Sequence, residues 1–350
     1  MDCTRARVDP PTRPGAAHVA VVNAGGWGTA LAILLAISGQ EVRLWCRRPA
    51  LAHEIAATRE NRAYLPNVAV PPNVRPTADV AEAVAGAAAV LVVCISRAMR
   101  ETARMVAPFV TAATPLLHAA KGLERQSLLR LSQVAGQELG QRFAGRVAVL
   151  SGPTHAEEVA RGLPTAAVVA CEDQSVAATF QRLLHGPTLR VYTSPDVVGV
   201  ELCAALKNVV ALAIGASDGL GYGDNARAAL ITRSLVEIGR LVDAAGGDAR
   251  TVAGLAGLGD VVATCTSRHS RNRWAGELLG RGRSVGEILA STSQVVEGIP
   301  ATTAAVQLAA RYGVDLPVCS QVDRVVNGGV PVREALAELM GREATAELRA

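Results

Sequence analysis

Residues 18–22 form a short apolar, strand-like run that passes straight into Asn23-Ala24-Gly25-Gly26-Trp27-Gly28 and a helical segment, 28–38, stopped by Gly39. A strand, a glycine-rich turn and a helix in that order open a parallel βαβ unit. The glycines let the turn close tightly and let its backbone approach a pyrophosphate, which then rests on the free amides of the helix start. Gly25, Gly26, Trp27 and Gly28 are therefore the first candidates for cofactor binding. The first position of this G-x-G-x-x-G pattern is Asn23, and asparagine tolerates positive φ better than other non-glycine residues.

Strand-like segments at 41–46, 88–95, 115–120, 146–150 and 166–170 continue the alternation with helical or turn sequence between them. This is the pattern of a doubly wound, mostly parallel sheet covered on both faces. Beyond residue 193 the pattern turns helical. Residues 197–216 are apolar nearly all round, 226–245 are amphipathic with Arg233 and Glu237 on the wet face, and shorter helical segments follow at 303–312, 320–326 and 332–339. At 350 residues the chain exceeds what one core usually serves. We expect a disordered Arg- and Pro-rich tail at 1–16, an α/β Rossmann-type domain at 17–192, and an all-helical domain at 193–345. A ligand cleft belongs between the two domains.

Composition narrows the function. Half of the residues are apolar and the formal charge is only +4, which excludes intrinsic disorder. With basic residues dispersed and aromatics few, nucleic-acid binding is excluded as well. The apolar run at 83–95 is shorter than a membrane span, so none is expected. Seven cysteines are scattered singly without metal-ligand spacing, so we expect no metal, no disulfide framework and a cytoplasmic address.

Of 35 basic residues, 33 are arginine, and the two lysines are Lys121 and Lys207. An ammonium group is compact and can surrender its proton when burial lowers its pKa, whereas a guanidinium stays charged. Lys207 lies in the apolar helical segment and Lys121 directly follows a strand, contexts that favour chemistry over surface charge. The second strand ends in Arg47-Arg48, with no carboxylate to hold a ribose 2′-hydroxyl. Two guanidiniums there suit a 2′-phosphate, and NADP(H) is preferred over NAD(H). Ser151-Gly152-Pro153-Thr154-His155-Ala156-Glu157-Glu158 opens a helix, with Thr154 and Glu157 at capping-box spacing; capping alone and an anion site remain open. The same holds for Ser267-Arg268-His269-Ser270-Arg271-Asn272-Arg273, a wet surface or a phosphate cluster.

Several separated motifs together resemble the bacterial NAD(P)-dependent glycerol-3-phosphate dehydrogenase family. They are residues 24–32, Ala120-Lys121-Gly122-Leu123-Glu124, Ser151-Gly152-Pro153-Thr154, Leu206-Lys207-Asn208, residues 225–233, Gly257-Leu258-Gly259-Asp260, Ser270-Arg271-Asn272-Arg273 and Val295-Val296-Glu297-Gly298. The resemblance implies an NAD(P)-linked oxidoreductase, interconverting dihydroxyacetone phosphate and sn-glycerol 3-phosphate for phospholipid synthesis. It implies a second domain like that of 6-phosphogluconate dehydrogenase, and a homodimer. Lys207 resembles the catalytic proton donor and acceptor, and Lys121 the residue meeting both substrate and cofactor. Gly152, Thr154, Asp260, Ser270, Arg271 and Asn272 match substrate-binding positions. Gly26, Trp27, Arg47, Ala156, Arg271, Val295 and Glu297 match cofactor-binding positions, beside Gly25, Gly28 and Arg48 from the turn and strand end.

Asn23, Gly26, Ile95 and Cys203-Ala204-Ala205 depart from the family pattern. They leave two alternatives: a related reductase of another phosphorylated or phosphonate ketone, and a dinucleotide-binding regulator without chemistry.

Overall fold

The computed structural model describes residues 18–267, 270–292, 294–344 and 346–347; the expected tail at 1–16 lies outside them. Ten strands occur among the described residues: β1 (Val19–Val22), β2 (Val42–Trp45), β3 (Glu60–Asn61), β4 (Leu65–Ala69), β5 (Val74–Thr77), β6 (Ala89–Val92), β7 (Leu116–His118), β8 (Val147–Ser151), β9 (Thr165–Ala170) and β10 (Leu189–Ser194). Eight make one sheet in the order β10-β9-β8-β7-β6-β1-β2-β5, and β3 and β4 form a separate hairpin. From β8 to β5 every neighbouring pair is parallel; β9 joins β8 antiparallel and pairs parallel with β10.

Alternation along the strands decides what covers each face. Val19 and Val21 pack with helices Gly26–Ile37 and Gln174–Leu184, while Ala20 and Val22 pack with Met99–Val106 and Leu131–Leu139. This is the doubly wound arrangement expected from the sequence. The strands β3, β4, β5 and β10 were not foreseen, and β10 ends two residues beyond the expected domain boundary.

The second half is built around the helix Val197–Gly219, against which Asp224–Ala244, Asp260–Thr266, Arg271–Gly280 and Gly298–Tyr312 pack. By length and composition this central helix could cross a membrane, but 94% of its most apolar window is buried inside the protein. Its all-round hydrophobicity is that of a core helix. The same core takes in Val149, Val168 and Ala170 from the sheet and Leu123 and Leu128 from the loop after β7, so the two halves share packing. Glu237 departs from its expected place on a wet face. It is buried, and its carboxylate accepts hydrogen bonds from the Val318 and Cys319 amides at 2.7 and 3.2 Å, satisfying the open start of helix Pro317–Gly328. Five of the six described cysteines are buried, and all six are free thiols.

Candidate active site

The chain leaves β1 toward β2 and later returns to β6 on the opposite side, so a crevice opens at the carboxyl end of β1. Asn23 turns the chain there with φ +83°, the conformation its residue type permits. Helix Gly26–Ile37 then begins on Gly25 with no side-chain cap and no acidic residue in its first turn. Its amides are left for an anion. A Cβ on Gly28 would sit 2.0 Å from the Asn23 carbonyl oxygen, and one on Gly26 would sit 2.8 Å from that of Tyr64 and 3.9 Å from the Ala156 Cβ. The buried Asn61 amide braces the turn by donating to the Ala24 carbonyl (3.0 Å) and the Thr29 hydroxyl (2.7 Å). Trp27 and Ala156 are each half-buried and pack against the same core. These features fit a dinucleotide pyrophosphate.

Gly28→Ala is expected to abolish this turn. NADPH binding, followed by fluorescence, should weaken by about a hundredfold or more, because the added methyl falls on backbone that cannot move aside. Binding within threefold of wild type would refute the assignment.

Arg47 and Arg48 are both exposed at the end of β2. The Arg48 guanidinium lies 5.7 Å from the Tyr64 ring centroid and donates to its hydroxyl at 3.3 Å. Helix Pro49–Thr58 starts beside them with no side-chain cap and no acidic residue in its first turn.

Near the domain junction, two ammonium groups meet one carboxylate. Lys207 on the central helix and Lys121 on the loop after β7 donate to separate oxygens of Asp260, Lys121 at 2.6 Å. Lys207 also donates to the Thr264 hydroxyl at 2.9 Å, and Lys121 to the Gly152 carbonyl at 3.1 Å. Asp260 and Thr264 stand one turn apart on helix Asp260–Thr266, which places both on one face. A wide π-type turn, Leu255–Gly259, leads into that helix. It requires Gly257, whose Cβ would come within 2.1 Å of the Val252 carbonyl oxygen.

Lys207 is only 6% exposed and Asp260 only 2%. Burial pushes the Lys207 amine down to about 7; the Asp260 charge opposes that fall and the neighbouring Lys121 charge adds to it. For Asp260, burial acts upward, but the charges of Lys121 and Lys207 outweigh it and hold the carboxyl below its usual range. An ammonium has three hydrogens to donate. Among the described residues two are committed on each lysine, which leaves one on each for an incoming oxygen.

Around this centre runs a chain of contacts. The Asn272 amide donates to Asn208 at 2.9 Å, next to Lys207, and its oxygen accepts from the Gly298 amide at 2.9 Å. The neighbouring Glu297 accepts from the Ser96 hydroxyl at 2.9 Å, and a Cβ on Gly122 would lie 3.0 Å from the Ser96 Cβ. Burial raises the Glu297 carboxyl above its ordinary value, against the Ser96 hydrogen bond and the Arg271 charge. Arg271 is exposed in the first turn of helix Arg271–Gly280, Val295 is half-buried, and Val296 is buried.

One local expectation is corrected, and the structure places two further candidate residues. Thr154 does not cap a helix: it donates to the Gly152 carbonyl at 3.1 Å, and His155 holds the N-cap position of helix Ala156–Ala160. Ser270 is itself a cap, accepting from the Arg273 amide at 3.2 Å. Asn272 gives one amide N–H to Asn208 and accepts from the Gly298 amide with its oxygen, and its second N–H makes no hydrogen bond among the described residues. Arg268 and His269 lie outside the described residues. Among the departures from the family pattern, Cys203, Ala204 and Ala205 are packed in the core, and Ile95 is 38% exposed just before Ser96. Thr264 and Ser96 were not foreseen. Thr264 was legible in principle, four residues after Asp260 on a helix.

The family models for the N- and C-terminal parts of NAD-dependent glycerol-3-phosphate dehydrogenase match residues 18–177 and 196–337. A glycerol-3-phosphate dehydrogenase (NAD(P)+) of Moorella thermoacetica is 50% identical over 330 residues, covering 94% of this chain and 97% of its own. That of Bacillus subtilis is 44% identical over 94% of this chain and 96% of its own. The crystal structure of glycerol-3-phosphate dehydrogenase from Coxiella burnetii superposes with a TM-score of 0.88 at 40% identity, over 94% of this chain and all of that one.

Proposed function

The chain belongs to the NAD-dependent glycerol-3-phosphate dehydrogenase family, and from that premise we propose that Lys207 is the proton donor and acceptor of its reaction. That reaction is reversible hydride transfer between NAD(P)H and dihydroxyacetone phosphate, giving sn-glycerol 3-phosphate. The observation that carries the lysine's role is the buried Asp260 with two ammonium groups upon it, each keeping one N–H uncommitted among the described residues.

The dinucleotide, when bound, supplies or takes the hydride. Lys207 gives its proton to the oxygen that becomes negative as the ketone is reduced, and recovers it in the reverse direction. Lys121 adds a second positive charge beside that oxygen. Asp260 keeps both amines in place, and Thr264 fixes the direction of the Lys207 N–H bonds. Arg271 is the exposed cation proposed to meet the substrate phosphate. Ser270, Asn272, Gly152 and Thr154 remain the substrate-binding positions of this reading, Asn272 with an N–H beyond its bond to Asn208 to offer, and Glu297 and Val295 border the cofactor side. A regulator without chemistry has no use for this constellation, so that alternative loses its ground.

The preference for NADP(H) is also part of the proposal, supported by exposed Arg47 and Arg48 beside a helix start without carboxylates. The family resemblance carries a homodimer and a cytoplasmic address into it as well. Initial rates with dihydroxyacetone phosphate and either NADPH or NADH test both layers. We expect NADPH to be favoured, and the Arg47→Ala/Arg48→Ala double variant to raise KM for NADPH about tenfold or more, as lost charge-assisted bonds do, with KM for NADH nearly unchanged. Equal KM shifts for both cofactors would refute the preference, and no oxidation of either would refute the reaction.

A further inference from the structure

Glu201 lies on the second turn of the central helix, six residues before Lys207, and is 3% exposed. Each of its partners comes from the α/β half. Oε1 accepts from the Ser132 amide at 2.8 Å; Oε2 accepts from the Arg130 guanidinium at 2.8 Å and from the Ser132 hydroxyl. The fully buried His118 ring stands 3.2 Å from Oε1, at ion-pair distance but off the line of a good hydrogen bond. Burial works to raise the Glu201 carboxyl, but His118, Arg130 and Ser132 together bring it down to about 2, so it is a carboxylate at neutral pH.

The sequence positions of these partners give the cluster its meaning. His118 ends β7, three residues before Lys121. Arg130 ends the loop that carries Lys121, where a bridge between Leu123 and Arg130 closes it. One carboxylate on the Lys207 helix therefore holds the far end of the Lys121 loop by hydrogen bonds and stands at ion-pair distance from its near end. A buried ionic cluster is seldom the most stable way to fill such a space, and apolar packing often serves equally well. What charged, directional bonds add is a single register between the parts they join.

We propose that Glu201 is a positioning residue, which holds the Lys121 loop against the Lys207 helix and so sets the approach of the two ammonium groups on Asp260. This rests on Lys207 being the proton donor. Lys207 is faced by Asp260, Lys121 and Thr264, with the thiols of Cys203 and Cys265 nearby. Lys121 is the one positive charge that the clamp would release.

The chain has two lysines, so protein labelled with ¹³C at lysine Cε gives two resonances, assigned with Lys121→Arg. In Glu201→Gln, relief from the Lys121 charge should move the Lys207 titration up by about half a unit or more. Loosened geometry should lower kcat between about tenfold and a hundredfold, with NADPH binding retained. A folded Glu201→Gln protein with an unmoved Lys207 titration and wild-type kcat overturns the proposal, even if it melts earlier. Should that variant not fold, Ser132→Ala and Arg130→Gln each remove part of the clamp. A smaller upward shift in them supports the proposal, and none in either overturns it. A wild-type Lys207 that stays charged above pH 9 refutes instead the proton-donor reading.

Discussion

Lys207→Met should leave a folded protein that binds NADPH and reduces dihydroxyacetone phosphate about a thousandfold more slowly, the scale set by losing a positioned general acid. Folding survives because Asp260 keeps Lys121 as its counter-charge. Lys207→Arg is the sharper companion. It keeps a positive charge near the developing alkoxide but cannot release a proton, so it should fall nearly as far.

The pH dependence follows from the buried amine, lowered to about 7. Reduction needs the ammonium form, so its rate should fall as pH rises through that value. Oxidation of glycerol 3-phosphate needs the free amine, so its rate should fall as pH drops through the same value. Stopped-flow rates in both directions test this. A Lys207→Arg enzyme within tenfold of wild type, or limbs of the same sign in the two directions, would remove Lys207 from the chemistry.

Much of this centre was legible in the sequence because its residues obey strong local rules. An arginine-biased chain that keeps lysine at 121 and 207 marks both positions, and they meet on the same carboxylate. Asn23 could be read as a positive-φ residue from its type and place, and it is one. The strands that were missed lacked such signals. β5 includes Arg75 and Pro76 and lies at the sheet edge, and β10, on the opposite edge, alternates exposed Arg190 and Tyr192 with buried Leu189 and Val191 before ending in polar Thr193 and Ser194. Edge strands are open to solvent and need not be continuously apolar. The capping box at Thr154 failed because a local pattern competes with tertiary partners: the Gly152 carbonyl takes its hydroxyl, as it also takes Lys121. Glu237 and Glu201 were out of reach for the same reason. Nothing near them in sequence announces Val318, Cys319, His118 or Arg130, and a glutamate on a helix reads as solvated until its long-range donors are known.

Asp260→Asn should show both stability and chemistry in one substitution. In the wild type a single buried carboxylate balances two ammonium groups, and the amide can hydrogen-bond to them without neutralising either. Leaving buried charge uncompensated costs about 3–5 kcal/mol where one partner of such a pair is removed. The cost is reduced if the amine gives up its proton. Lys207 should therefore titrate still lower than about 7 in the variant. Reduction at neutral pH then loses its proton donor, and kcat should fall by about a hundredfold or more. Asp260 titrates below the ordinary 3.8 in the folded protein. Its stabilising contribution is thus complete above that pH and is lost as pH falls through the lower folded value. The wild-type advantage in urea unfolding should accordingly be present at pH 7, grow as pH falls toward the lower Lys207 titration of the variant, and shrink only in strong acid. An Asp260→Asn protein with wild-type stability at pH 7 and an unmoved Lys207 titration would mean that the two amines do not depend on this carboxylate, whatever their distances from it.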